Sequence, residues 1–201
     1  KKQKTIVIGV GHAKMARMRV LGWLWEKTVL RSMLRKIDLL IVSTPQLKNF
    51  YHQLDPKNKI KIEILPIPVE QGLSGPSRVP NKRLEIIIIG RLVYYKGHSI
   101  LFRAISQLGF PWHLNIVGDG PLKGKLIAES ISMGIQDRVK FHGHVSEQHK
   151  FSLLASADLL VAPSIAETES YCIAIAEAFA FSKPVITTSL NTGVQFLARN
   201  G

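Results

Sequence analysis

Apolar residues in this chain fall into short unbroken runs separated by stretches with helical spacing. Thr5–Val10 (TIVIGV), Ile37–Ser43 (IDLLIVS) and Ile60–Leu65 (IKIEIL) are the runs of the first third. Leu84–Ile89 (LEIIII), Leu114–Val117, Val139–Phe141, Leu159–Ala162 and Val185–Thr188 follow. Runs rich in β-branched residues, without polar alternation, suit strands covered on both faces, as in a parallel sheet. LEIIII reads as a central strand. Between the runs, helices are predicted over Lys14–Lys36, from Thr44-Pro45 towards Leu54, and over Gly97–Leu108, Leu122–Met133, Glu147–Ala155 and Tyr171–Phe181. Pro45 sits at a first helical position, where its missing N–H costs nothing. Strand and helix alternating in this way imply a parallel sheet with helices on both faces, a doubly wound, Rossmann-like α/β fold.

The alternation is interrupted once. Pro66, Pro68, Gly72, Gly75, Pro76 and Pro80 break any periodic pattern. Residues 66–82 are therefore read as a linker between a first lobe (1–65) and a second (83–201). Charge shifts at the same place: residues 1–80 hold 15 Lys+Arg against 5 Asp+Glu, whereas 81–201 hold 12 against 9. A net +10 in the first part implies an anionic partner there, whether a lipid surface, a phosphate-bearing substrate or nucleic acid. Within 14–36, Met15, Met18, Leu21, Trp25, Val29 and Met33 share one helical face, and Arg17, Lys27, Arg31 and Arg35 another. Val20, Leu24 and Leu34 lie among the basic positions. Such a helix either packs with an ordinary solvated face or lies in an anionic membrane interface.

The 46% hydrophobic, 20% charged composition is that of a globular protein with a sizeable core. Cys172 is the only cysteine, which excludes an intrachain disulfide and suits a reducing compartment. No apolar run approaches the ~20 residues that span a bilayer. The chain opens at Lys1 without Met and stops at Asn200-Gly201 in a turn signal, as expected of a fragment cut at both ends.

Candidate chemistry gathers in loops after the strands, where ligands of open α/β sheets bind. His12 follows the first strand, behind Gly9 and Gly11. After Ile89 comes Gly90-Arg91-Leu92-Val93-Tyr94-Tyr95-Lys96-Gly97, whose two cations could grip a diphosphate from two sides. Gly118-Asp119-Gly120-Pro121 reads as a tight turn rather than a dinucleotide fingerprint, since the third glycine is missing. His142 and His144 have no carboxylate or cysteine at ligand spacing, and no Asp-x-Asp is present, so no metal site is expected. In PSIAETESYCIAIAEAFAFSKP (Pro163–Pro184), Glu169 falls in the turn before a helix and Glu177 two turns along it. A helix start offers free N–H groups and a positive dipole end to a phosphate. Carboxylates would repel that phosphate, so they are assigned to hydroxyls. Phosphate with hydroxyls points to a nucleotide sugar.

With Gly-Arg-Leu…Lys-Gly, Val-Gly-Asp-Gly-Pro, Phe-His-Gly-His-Val and Glu-x7-Glu in this order, the chain resembles the group 1, family 4-type retaining glycosyltransferases of the GT-B fold. The resemblance implies that residues 84–201 are most of a nucleotide-sugar-binding lobe and 1–65 the closing part of an acceptor lobe. It assigns Arg91 and Lys96 to the donor diphosphate, Glu169 to sugar hydroxyls and Glu177 to the ribose diol. The backbone of Gly90, Ser170, Tyr171 and Cys172 would line the donor, that of His144 and Val145 would meet the nucleobase, and His12 would lie near the reacting sugar. It further implies catalysis with retention and without metal or cofactor. Ser189–Gly201 is similar to bacterial branches that build lipid-linked saccharides, O-antigens and capsules, with GDP-mannose or a UDP-sugar as donor. Such an enzyme would be cytoplasmic, with peripheral attachment to the inner face of the membrane through residues 14–36, and would not bind nucleic acid. Two departures stand out: Cys172 and Ser182 replace glycines usual in the family, and Cys172 narrows the approach to the backbone. Glu167 is a rival carboxylate whose spacing to Glu177 does not fit. The fragment, lacking the early glycine-rich loop, is expected to be inactive. Two other readings stay open: a non-catalytic basic Rossmann-like module that binds nucleic acid or anionic lipid, and a degenerate relative.

Overall fold

A computed structural model describes residues 6–9, 28, 30–55, 57, 60–70 and 83–198. The chain divides into two units: Lys1–Pro68 with Glu167–Tyr171 and Leu190–Gly201, and Val69–Ala166 with Cys172–Ser189. Glu169, Ser170 and Tyr171 thus belong to the first unit, although in sequence they lie within the second lobe.

The first unit carries β1 (Ile6–Gly9), α1 (Arg31–Leu34), β2 (Leu39–Val42), α2 (Pro45–Leu54), β3 (Lys61–Ile64) and, near the chain end, α7 (Gly193–Leu197). The strands form one parallel sheet in sequence order, Ile6 facing Leu39 and Leu39 facing Lys61. Thr44 caps α2, its Oγ1 accepting from the Leu47 N–H at 3.2 Å, and Pro45 follows at the first helical position. Leu30, Leu34, Leu40, Val42, Tyr51, Ile60 and Ile62 form the core. Here the helical-face assignment needs correction. Leu34, placed among the basic positions, is buried, and Met33, placed on the apolar face, is 57% exposed. The stripe that reaches the core runs through Leu30 and Leu34, one i, i+4 step. Of the basic face, Arg31 is half-buried, its Nε donating to the Leu54 carbonyl at 3.1 Å, and Arg35 is exposed; the other residues named in the 14–36 reading, apart from those at 31–35, lie outside the described residues. The α7 helix had no counterpart in the apolar pattern; Thr192 caps it, and the Gly193 N–H donates to the Ser170 carbonyl at 2.8 Å.

The second unit contains β4 (Leu84–Ile89), a 3-10 turn (Tyr94–Lys96), α3 (His98–Ile105), β5 (Trp112–Val117), α4 (Lys123–Ser132), β6 (Val139–Gly143), α5 (Glu147–Ser156), β7 (Leu159–Ala162), α6 (Ile173–Ala180) and β8 (Val185–Thr187). Every strand pairing is parallel, in the order β6-β5-β4-β7-β8. LEIIII is the central strand. One sheet face, with Ile86, Ile88, Leu114 and Ile116, joins Leu101, Phe102, Ile105 and Leu126 in the main core. The alternate positions carry a polar line: Glu85 Oε2 meets His113 Nδ1 at 3.1 Å and Asn115 Nδ2 at 3.3 Å, and His142 Nε2 donates to Asn115 Oδ1 at 2.8 Å. Burial works to raise the Glu85 carboxyl, but hydrogen bonds from Arg83 and His113 prevail and hold it below the usual range. The α6 helix starts at Ile173, two residues later than its apolar pattern predicts, because Cys172 has φ 57° and cannot join a right-handed helix.

Candidate functional site

The strand order places the loops. From central β4 the chain moves outward to β5 and β6, then returns to β7 on the other side of β4 and continues to β8. The strand order reverses between β4 and β7, and the crevice outside the carboxyl ends of two such strands is where doubly wound sheets bind ligands. The loop after β4 carries Gly90, Arg91 and Lys96; the loop after β7 starts at Pro163. These two loops touch: the Ile165 N–H donates to the Tyr95 carbonyl at 2.8 Å, and a Cβ on Gly97 would overlap the Pro163 carbonyl oxygen.

Three glycines with positive φ bring the backbones of neighbouring loops together at these strand ends. They are Gly90 (149°), Gly118 (133°) and Gly143 (69°). The Gly90 N–H donates to the Val117 carbonyl at 2.9 Å, and the Gly118 N–H to the Gly143 carbonyl at 2.8 Å. A Cβ on Gly118 would overlap the Gly90 carbonyl, and one on Gly120 would come within 2.6 Å of the Leu92 carbonyl oxygen. The Gly118–Pro121 stretch is thus a packing turn, its Asp119 accepting from the Gly120 N–H at 2.7 Å and from Lys123 Nζ at 3.1 Å. Buried Leu92 pins the β4 loop between the two cations, donating to the Asp119 carbonyl and accepting from the Leu122 N–H. Arg91 is exposed and has no ion-pair partner among the described residues. Lys96 folds back over Gly90, where its Nζ would lie 3.2 Å from a Cβ, and 5.9 Å from the Tyr95 ring centre. Two cations on one pinned loop make a local positive field suited to a diphosphate.

Glu177 is buried on α6, next to α5. Its Oε1 accepts from Lys150 Nζ at 2.6 Å, and the same ammonium lies 2.8 Å from Glu147 Oε2. Burial alone would lower the Lys150 ammonium; the two carboxylates prevail and raise it. Lys150 was missed from the sequence, since 27 positions separate it from Glu177 and no local spacing links them.

Cys172 and Ser182 flank α6 and are the two non-glycine residues with positive φ among the described residues, at 57° and 54°. They are also the two positions where the family resemblance expects glycine. The backbone keeps a glycine-like path, and the side chains bear the strain. Cys172 is buried, Ser182 exposed.

In the first unit, Glu169 and Tyr171 are buried, Ser170 is half-buried, and the rival Glu167 is exposed. His144 is exposed and Val145 half-buried, just before Ser146, whose Oγ caps α5 by accepting from the His149 N–H. His142 is tied to Asn115, and burial pulls its pKa down. Among the described residues, no three His, Cys, Asp or Glu side chains cluster as metal ligands. His12 lies outside the described residues. His98, also missed from the sequence, opens α3 with its ring buried and neither nitrogen hydrogen-bonded among the described residues. Burial and the nearby Lys96 charge push its pKa down to about 4.

A parallel doubly wound sheet, with two cations on the loop where its strand order reverses, defines a Rossmann-like α/β unit. Residues 72–201 match the family described as glycosyl transferases group 1, and the chain belongs to it. It is 27% identical over 200 residues to the D-rhamnosyltransferase WbpZ of Pseudomonas aeruginosa, covering 94% of this chain and 51% of that one. To the O-antigen chain mannosyltransferase C of Escherichia coli it is 26% identical over 193 residues, covering 92% and 51%. The chain thus spans about half the length of these relatives. Among solved structures, HepE of Anabaena in complex with UDP-glucose superposes with TM-score 0.75 at 18% identity, over 96% of this chain and 56% of that one. The sucrose-phosphate synthase of Thermosynechococcus elongatus gives 0.73 at 22% identity, over 94% and 51%. The expected fold class, α/β of the GT-B type, agrees with these neighbours. No described helix is long and apolar enough to cross a membrane.

Proposed function

We propose that the intact protein transfers a hexose from a nucleotide sugar, GDP-mannose or a UDP-sugar, to a saccharide or lipid-linked acceptor in cell-surface polysaccharide synthesis. The observation that carries this reading is the pinned Gly90–Gly97 loop, which holds Arg91 and Lys96 at the reversal of strand order. The rhamnosyl- and mannosyltransferase relatives support the choice of a hexose and of polysaccharide synthesis.

In this reading Arg91 and Lys96 bind the donor diphosphate and stabilise charge as it leaves the anomeric carbon. In a water-poor crevice, preorganised cations of this kind are the dominant catalytic term to expect. The first N–H groups of α6 add a partial positive charge. Glu177 accepts from the ribose diol and Glu169 from sugar hydroxyls, with Ser170, Tyr171 and Cys172 lining the donor. Backbone at His144 and Val145 meets the nucleobase, and His12 serves the reacting sugar. The anomeric configuration is retained, and no metal is required. The left-handed backbone at Cys172 supports a working turn, because its path is the one a glycine would take. The basic segment 14–36 attaches the protein to an anionic membrane surface.

The test is turnover of UDP-, GDP- and dTDP-sugars by the intact protein, with and without a chelator. Lys96→Ala is expected to lower kcat/KM by roughly 100- to 1,000-fold, the usual cost of one electrostatic stabiliser. Unchanged turnover in both Lys96→Ala and Glu177→Ala would overturn the reading, as would strict dependence on added metal for its metal-free clause.

A further inference from the structure

A buried ion pair joins two helices of the second unit, and its geometry is unlike that of a surface pair. Lys150 on α5 reaches Glu177 on α6 at 2.6 Å, with side chains only 13% and 12% exposed. Its other carboxylate, Glu147, is 73% exposed at 2.8 Å. The ammonium is held from further sides. Its Nζ lies 4.8 Å from the Phe151 ring centre, Phe151 packs on Phe181 at 5.3 Å, and Lys183 Nζ ties the helices by donating to the Ala155 carbonyl at 2.7 Å. Only Glu177 Oε1 is engaged; Oε2 has no hydrogen-bond partner among the described residues.

Stability alone is a poor account of this pair. Taking both charges out of water costs about as much as their attraction returns, and a well-packed apolar pair of equal volume often does as well. What the pair does achieve is to anchor a buried carboxylate through one oxygen, with the other oxygen to spare. We propose that Lys150 is a positioning residue for nucleotide binding: it fixes Glu177 through Oε1 so that Oε2 is free to accept from a ribose hydroxyl. The proposal rests on the assignment of Glu177 to the ribose diol and adds the residue that makes this carboxylate competent. Without Lys150, the carboxylate loses the bond that fixes its orientation, and Oε2 is no longer presented in one place. The two carboxylates hold the Lys150 ammonium above its usual range, so it stays charged at neutral pH.

The experiment is calorimetric titration of the intact protein with GDP and UDP, each beside its 2′,3′-dideoxy analogue. The wild type is expected to favour the ribose form of the nucleotide it binds by about tenfold or more, as for hydroxyl bonds to a charged acceptor. Lys150→Met should weaken the ribose form alone and bring the preference below about threefold. Lys150→Arg should restore most of it. If Lys150→Met does not fold, Lys150→Gln removes the charge while keeping a polar end near Glu147. An unchanged preference in the uncharged variant overturns the proposal. So does an equal loss for ribose and dideoxy forms, which is what a merely structural role predicts. The two assignments fail separately. If Glu177→Gln keeps the full preference, the ribose assignment falls; if Glu177→Gln loses it and Lys150→Met does not, only the role of Lys150 falls.

Discussion

His98 is a buried base with no hydrogen-bond partner among the described residues, and this makes stability depend on pH in a calculable way. Its ring opens α3 at 3% exposure, with both nitrogens unpartnered among the described residues. Folding therefore holds the imidazole neutral, and its pKa drops from 6.5 to about 4. In the unfolded chain the ring still protonates near 6.5. Its contribution is therefore fully present above that pH and is lost as pH falls towards 4, because the unfolded state then binds a proton that the folded state refuses. At about 1.4 kcal/mol per pH unit, the loss by pH 4.5 amounts to about 2.5 kcal/mol. In His98→Leu a side chain of similar size removes both the titration and the orphaned nitrogens. The variant should be about 1–2 kcal/mol more stable than wild type at pH 7.5, the usual relief for an unpaired buried polar group. That advantage should widen by about 2.5 kcal/mol at pH 4.5. Urea unfolding of both proteins at the two pH values measures it, and taking the difference cancels carboxylates that titrate in both. A difference that stays constant with pH would show that the ring is solvated or bonded, and would refute the reasoning.

The positive φ at Ser182 predicts that Ser182→Gly relieves about 1 kcal/mol of left-handed strain, partly offset by glycine's greater freedom when unfolded. A net gain of about 0.5 kcal/mol should raise Tm by roughly 1–2 °C in calorimetry, and an unchanged or lower Tm would count against it. Gly118→Ala would drive a Cβ into the Gly90 carbonyl and should cost about 3 kcal/mol in denaturant unfolding. Gly124→Ala, inside α4 with nothing near its Cβ, should instead gain about 0.8 kcal/mol; equal effects at the two sites would contradict the loop-packing account.

Much of the architecture was legible along the chain. The eight apolar runs became eight strands, and Leu84–Ile89 is central, because a strand covered on both faces must be apolar at every position. That Arg91 and Lys96 sit on the loop after this strand was legible too, because that loop leaves from the carboxyl end of a central parallel strand. The Gly118-Asp119-Gly120-Pro121 turn was also readable as structural. Element ends were less so. A helix pattern over Tyr171–Phe181 cannot reveal that Cys172 adopts φ 57°, since side-chain periodicity carries no sign of backbone handedness. The stripe at Leu30 and Leu34 likewise depends on where the helix lands.

The remainder belongs to the tertiary structure alone. Strand order, with β7 returning beside β4, brings the Tyr95 and Ile165 backbones together across seventy positions. The Lys150–Glu177 pair exists because α5 and α6 pack side by side, and His98 is stranded because its helix start is buried. Apolar period reports which element a segment forms, since backbone geometry sets that period locally. Which segments then meet is decided by long-range pairing and packing, and in this protein that pairing gives Glu177 its cation and leaves His98 without a hydrogen-bond partner among the described residues.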